Sequence, residues 1–178
     1  MANTHKNIKL VSPSIEYKNS YISLLDEFNS LNEPLIPFPL KMDYSDFPKM
    51  VEELRGYEKG ENLLSGFVPH STYWLIDNKE VVAVANLRHR LNDHLLKEGG
   101  HIGYGVRPSS RKKGFATILL AETIKKALDK GIKSILVTCE KDNIASAKVI
   151  QKNDGILEDE LFSPAHEGII QRYWIHIK

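Results

Sequence analysis

The sequence predicts a mixed α/β (α+β) domain: a mostly antiparallel sheet with helices on both faces. Three observations predict it. The alternating apolar runs S-T-Y-W-L-I-D and E-V-V-A-V-A-N-L-R-H-R flank the tight turn D-N-K, which is the pattern of a β-hairpin. From residue 102 onward a strand pattern, a basic glycine-containing turn and a long amphipathic run follow one another. Apolar residues at helical spacing also precede the hairpin, so helices are available for each face.

In chain order, Ile8 to Val11 reads as a short strand. Ser12 and Pro13 have the chemistry of an N-cap and first helical position. Ile15, Tyr21, Ile22, Leu24, Leu25 and Phe28 then recur at three and four, giving a helix to about Asn29. The segment N-E-P-L-I-P-F-P-L carries three prolines and reads as an ordered turn or loop. A second helix is predicted from Tyr44 to Tyr57, with Phe47, Met50, Val51 and Leu54 on one face. Glu61 to Pro69 reads as a loop before the hairpin, and Leu91 to Gly100 as a loop after it. In the strand H-I-G-Y-G-V-R, glycines at 103 and 105 predict a bulge or a close approach by another backbone. Gly131 ends the next helix, Ile132 to Cys139 reads as a buried strand, and Asp142 or Asn143 caps a further helix. Ile156 to Phe162 and Ile169 to Ile177 form two final strands around S-P-A-H-E-G.

Length predicts one domain over residues 1–178, large enough to bury its own core. A net charge of +1 excludes a global field that would draw the chain to nucleic acid or to an anionic membrane. The single cysteine, Cys139, cannot form an internal disulfide, and M-A-N-T-H-K-N-I-K has no apolar signal region. No apolar run reaches the roughly 18 residues of a membrane span. These features predict a soluble, cytoplasmic protein. Histidine spacing offers no zinc site. Lys6, Lys9 and the Lys125–Lys126 pair read as solvated faces.

The chemistry lies in V-R-P-S-S-R-K-K-G-F-A, Val106 to Ala116. A turn between strand and helix start points backbone N–H groups outward, and the helix dipole and Arg111, Lys112 and Lys113 add positive potential. That suits a phosphate or pyrophosphate. There is no G-x-x-x-x-G-K-[ST] and no G-x-G-x-x-G, so the turn is neither a P-loop nor a dinucleotide fingerprint. It resembles the R-x-x-G-x-A form of the coenzyme-A loop of the GNAT acyltransferase family, on Arg111, Gly114 and Ala116. The resemblance continues through the helix, the buried strand and the helix opened by Asn143, about fifty consecutive residues in the family's order.

The resemblance implies acetyl-CoA as cosubstrate. Its diphosphate would lie on Arg111, Lys112, Lys113, Gly114, Phe115, Ala116 and Thr117, and its pantetheine arm along Tyr104, Gly105 and Val106, with Asn143 and Ser146 beside the arm. It implies N-acetylation by direct attack of an amine on the thioester, with the Tyr104 backbone N–H as oxyanion donor. The two N-terminal helices and their connection would wall the acceptor site, so Phe38, Tyr44 and Phe47 either touch substrate or belong to the core.

A base is needed because an alkyl amine of pKa about 10.4 is neutral in roughly one molecule in a thousand at pH 7. Ile102 and Gly100 share Tyr104's strand face, and neither titrates. On the adjoining strand stand Asn86, Arg88 and His89, and of these only His89 titrates near neutrality. The candidates are His89, His101 or a water relay. Many family members carry a thiolate-protonating tyrosine where this chain has Ile150, which leaves water, Tyr104 or Tyr173. The stretch around Ser146, Val149, Ile150, Lys152 and Asn153 is similar to the branch that acetylates ribosomal-protein N-termini. Cys139 reads as a small core residue. Two other classes fit the sequence: a non-catalytic acyl-CoA-binding or sensing domain of the same fold, and a phosphate-binding regulator unrelated to coenzyme A. The acceptor, a small-molecule amine or a protein N-terminus, is not specified, and a homodimer is left open.

Overall fold

Two long apolar strands, β2 (His70–Asp77) and β3 (Glu80–Arg88), form the middle of the computed structural model, which describes residues 7–177. Lys6 lies outside the described residues. The hairpin turns at Asn78 and Lys79, whose φ angles of 47° and 70° are those a two-residue turn between twisted strands requires. β1 (Lys9–Val11) pairs with β2 and β4 (Ile102–Val106) with β3, giving the order β1-β2-β3-β4. A second sheet, β5-β7-β6, comprises β5 (Ser134–Glu140), β6 (Ile156–Ser163) and β7 (Gly168–His176), and every pairing in both sheets is antiparallel.

Helices cover both faces. On one, α1 (Lys18–Ser30) and α2 (Phe47–Lys59) pack Tyr21, Leu24, Phe28, Phe47, Met50 and Leu54 around Trp74. Tyr21 stacks on Trp74 at 4.6 Å between ring centroids, a geometry worth about 0.5–1.5 kcal/mol beyond the area buried. On the other, α4 (Phe115–Asp129) lays Phe115 and Leu119 on Leu75, Ala83 and Ala85, where small strand residues let the helix approach. α5 (Ile144–Gln151) buries Ala147 and Ile150 against β5 and β7.

Several boundaries differ from the sequence reading for local reasons. Ser14, not Ser12, caps the first turn: its Oγ accepts from Glu16 N–H at 3.4 Å, and a 3-10 turn over Ile15–Tyr17 precedes α1. α2 starts at Phe47 because the Asp46 carboxylate accepts from Lys49 N–H, fixing the cap two residues beyond Tyr44. The segment read as loop from Leu91 to Gly100 contains α3 (Asp93–Lys97), capped by Asn92.

The bulge predicted in β4 is absent from its pairing with β3, which runs unshifted from Leu87–Ile102 to Ala83–Val106. The alternative, a close approach, accounts for Gly105. A Cβ there would lie 2.2 Å from the Ile36 carbonyl oxygen, so the proline-rich connection between α1 and α2 rests directly on β4.

The two sheets share a core around Tyr73, Leu87, Ile102, Ile135, Val137 and Tyr173, and their main chains are joined at the start of β4. His101 N–H donates to the Leu136 carbonyl at 2.7 Å, and Leu136 N–H donates to His101 Nδ1 at 3.0 Å. Beyond that clasp β4 and β5 belong to separate sheets, and no strand among the described residues pairs with the outer edge of β4.

Candidate active site

The unpaired edge of β4 carries a specific main-chain donor. Arg107 N–H donates to Val82 and Arg88 N–H to the His101 carbonyl, at 2.8 and 2.7 Å. Antiparallel alternation therefore turns Gly103 and Gly105 toward β3, and turns Ile102, Tyr104 and Val106 outward into the split. Tyr104 N–H thus points where a ligand strand, not a protein strand, can meet it.

The chain then leaves β4 through a 3-10 turn at Pro108–Ser110 and reaches α4 by two left-handed residues, Lys112 (φ 61°) and Gly114 (φ 86°). Gly114 has open space around it, since a Cβ there would meet nothing within 4 Å. No side chain caps α4, so its first turn presents main-chain donors and the positive end of the dipole outward. Lys112, Lys113 and Gly114 are exposed there, Ala116 and Thr117 half-buried and Phe115 buried in the core beneath. Arg111 is held differently. Its guanidinium forms a two-pronged ion pair with Glu33, with Nη1 2.8 Å from Oε1, and lies 5.5 Å from the Phe28 ring centroid. That hydrogen-bonded guanidinium keeps Glu33 below the usual carboxylate range. Its side chain ties the turn to the end of α1, and its Nε also donates to the Val106 carbonyl at 3.3 Å, bracing the turn against the end of β4.

Across the split, Asn143 caps α5 by accepting from Ser146 N–H at 3.0 Å. Ser146 Oγ lies 2.7 Å from the Tyr104 hydroxyl, so this pair spans from β4 to α5. Burial, partly offset by that hydrogen bond, pushes the Tyr104 phenol up to about 12, so it remains protonated near neutrality. Burial likewise pushes the Cys139 thiol up to about 11, which removes it as a nucleophile. Ile150 is fully buried in the core and Tyr173 hydrogen-bonds Gln171, so neither faces the outer edge of Tyr104.

The two histidines singled out as bases are placed elsewhere. His101 is the clasp between the sheets: its Nδ1 is taken by Leu136 N–H, and burial beside Arg88 pulls its pKa down to about 4. His89 sits on the α4 face with Nε2 2.8 Å from Ser71 Oγ. It lies four residues along β3 from Ala85, the partner of Tyr104, which is about 13 Å of extended chain. Direct proton transfer needs roughly 3 Å, so neither ring reaches an amine at Tyr104.

What the sequence reading missed is on the opposite face of the hairpin. His70 pairs with Arg88 and Thr72 with Asn86 across β2 and β3. His70, Asn86 and Arg88, with Phe38, Phe67, Val68, His94 and Leu95, line a cavity of about 140 Å³. Gly103 of β4 adjoins it, since a Cβ there would lie 3.5 Å from the Arg88 guanidinium. Phe38, an aromatic tied to the acceptor wall by family resemblance, lines it, whereas Phe47 is core and Tyr44 packs against the same core. The alternation of β2 carried the signal, since it sets His70 on the face of Thr72 and Trp74.

Residues 32–155 match the model of the acetyltransferase (GNAT) family. No curated protein sequence matches the chain. Among solved structures it is similar to RimL, a ribosomal alpha-N-protein acetyltransferase, in complex with coenzyme A, at 17% identity over 97% of this chain and 95% of that one, with a TM-score of 0.72. It is similar to the microcin C7 self-immunity acetyltransferase MccE in complex with acetyl-CoA and AMP, at 19% identity over 97% and 93%, with a TM-score of 0.69. RimJ of Mycobacterium smegmatis, in complex with a CoA disulfide, aligns at 16% identity over 95% and 81%, with a TM-score of 0.70.

Proposed function

This chain belongs to the acetyltransferase (GNAT) family, and we propose that it uses its split sheet to transfer the acetyl group of acetyl-CoA to an amine nitrogen. The acceptor is a small-molecule amine or a protein N-terminus. The observation that carries this reading is the outward Tyr104 N–H on the unpaired edge of β4, with the uncapped start of α4 following the same strand.

In this reading the diphosphate rests on the main chain from Lys112 to Thr117, with Lys112 and Lys113 adding charge, and the pantetheine arm pairs along Tyr104, Gly105 and Val106. Charge-assisted bonds to phosphate oxygens contribute about 1.5–3 kcal/mol each. The amine nitrogen attacks the thioester carbonyl carbon, and Tyr104 N–H holds the resulting oxyanion. Collapse breaks the carbon–sulfur bond, leaving an amide and coenzyme A thiolate. The proton lost by the amine leaves through water, because His89 and His101 are both out of reach. The thiolate takes up a proton that comes from water, relayed by the Tyr104 hydroxyl that Ser146 Oγ holds across the split, so that the phenol is protonated again as it donates.

Among the described residues no helix is long and apolar enough to cross a membrane. A cytoplasmic site of action and one catalytic domain over residues 1–178 complete the proposal. A second reading, an acyl-CoA-binding domain without turnover, is favoured by one observation, the burial of Ile150 where many relatives carry a tyrosine. Thiol release from acetyl-CoA with a panel of primary amines decides between them. Amine-dependent release supports transfer, and saturable acetyl-CoA binding without release supports the binding domain.

A further inference from the structure

The cavity beside Gly103 is built around two groups whose needs the protein does not meet. His70 is 2% exposed, and its Nδ1 lies 2.7 Å from the Asn86 side-chain nitrogen, which also donates to the Ser71 carbonyl at 3.4 Å. An amide nitrogen only donates, so Nδ1 is the acceptor and the proton of the neutral ring is on Nε2. That Nε2–H has no partner. A buried donor left unsatisfied costs about 1–3 kcal/mol, a penalty that a ligand oxygen would relieve.

The second group is Arg88. Its Nη1 donates to the Gly99 and Gly100 carbonyls at 2.7 and 3.3 Å, and it pairs with no carboxylate among the described residues. Burial pulls its pKa down to about 10, so it still carries its charge at neutral pH. A largely buried guanidinium without a counter-ion is costly, and its planar fork matches a carboxylate. His70 and Arg88 face each other in register across β2 and β3, and both line the one cavity. Apart from Asn86 and His94 the remaining lining is apolar, with Phe38 edge-on to Phe67 at 4.8 Å between ring centroids.

We propose that this cavity receives a carboxylate of the acceptor, held by the Arg88 guanidinium and His70 Nε2–H, with Phe38 and Phe67 against the carbon skeleton next to it. The inference rests on the acetyltransferase reading and sharpens it. Gly103 lies one residue before Tyr104 on β4, so the carboxylate sits a few bonds from the nitrogen that attacks. The acceptor class is an amine that also carries a carboxylate and an apolar or aromatic group, that is, an amino acid or a short acidic-ended peptide. Asn86 is a positioning residue in this arrangement, since it acts by setting the His70 tautomer.

The test is calorimetric titration of the purified protein with phenylacetate and, separately, with phenylacetamide, which has the same shape without the charge. Saturable phenylacetate binding at least tenfold tighter than phenylacetamide, and weakened at least tenfold by Arg88→Met, is expected. Equal affinities, no binding of either, or an unchanged affinity in Arg88→Met overturns the proposal. Should Arg88→Met fail to fold by circular dichroism, His70→Phe decides: a loss of severalfold in phenylacetate affinity is expected, and an unchanged affinity is contrary. Acetyl-CoA titrated into the same samples reports separately on the transferase reading, because loss of the carboxylate site leaves the split and the α4 turn intact.

Discussion

Acidification from pH 7 to pH 5 should destabilise this protein through two buried imidazoles. His70 and His101 are 2% and 7% exposed, and burial, helped by the Arg88 charge, pulls each from 6.5 to about 4. In the unfolded chain both take up a proton below pH 6.5, whereas in the native state they remain neutral until about pH 4. Stability is therefore complete above 6.5 and falls as pH drops through the window down to 4. At pH 5 the difference in proton uptake is worth about 2 kcal/mol for each ring, or about 4 kcal/mol together. With a urea slope of about 2 kcal/mol per molar, the unfolding midpoint should fall by about 2 M. The depressed carboxylate of Glu33 cannot mimic this, because its contribution is lost only as pH falls below its ordinary value of 4.5. Urea unfolding at pH 7 and pH 5, together with NMR titration of the imidazole ring protons, measures both halves of the argument. Equal midpoints, or buried-ring resonances that titrate near 6.5, would refute it.

Three substitutions probe separate parts of the structure. Gly105→Ala places a Cβ 2.2 Å from the Ile36 carbonyl oxygen, so β4 or the proline-rich connection must move. A loss of about 1–3 kcal/mol is expected in urea unfolding. Ile150→Ala removes a fully buried side chain, and should cost about 2–5 kcal/mol while turnover per folded molecule is retained. Loss of turnover at full folding would mean that α5 contributes chemistry at that position. Tyr104→Phe deletes the 2.7 Å bond to Ser146 but keeps the main-chain donor, so stability should fall by about 1 kcal/mol and acetyl-CoA affinity should hold. Its kcat should drop at least tenfold if the phenol protonates the thiolate, and an unchanged kcat would assign that proton to water.

The parts of the molecule legible in the sequence are those written locally. The hairpin was readable because alternation and a two-residue turn lie within nineteen consecutive positions, 70–88. The turn into α4 was readable because Gly114 and its basic neighbours sit between two strong periodic patterns. α3 was not, because five residues are too few to show a period. Ser12 and Ser14 offer the same capping chemistry two residues apart, and only the packing of Tyr17 and Tyr21 on Trp74 decides between them. The remaining misses are long-range. Arg111 meets Glu33 across 78 positions, and His101 meets Leu136 across 35. His89 and His101 both looked available as bases because sequence gives strand parity but not which sheet edge is open. The His70–Arg88 cavity needs β2 and β3 in register plus α3, the loop before β2 and the α1–α2 connection, a coincidence no single stretch records.

The exposed turn between β4 and α4 is the proposed seat of the coenzyme A diphosphate. Titration calorimetry with acetyl-CoA, on the native chain and on Gly114→Glu, tests this most directly. A glutamate there meets no protein atom within 4 Å of its Cβ, so the fold should survive, with some backbone strain from the φ of 86°. Its carboxylate would lie where the proposed site holds the phosphates, and like charges repel. Saturable binding to the native chain and a loss of at least a hundredfold in the variant, at unchanged circular dichroism, is the predicted result. Equal affinity in the two proteins, or no binding to the native chain, would contradict it.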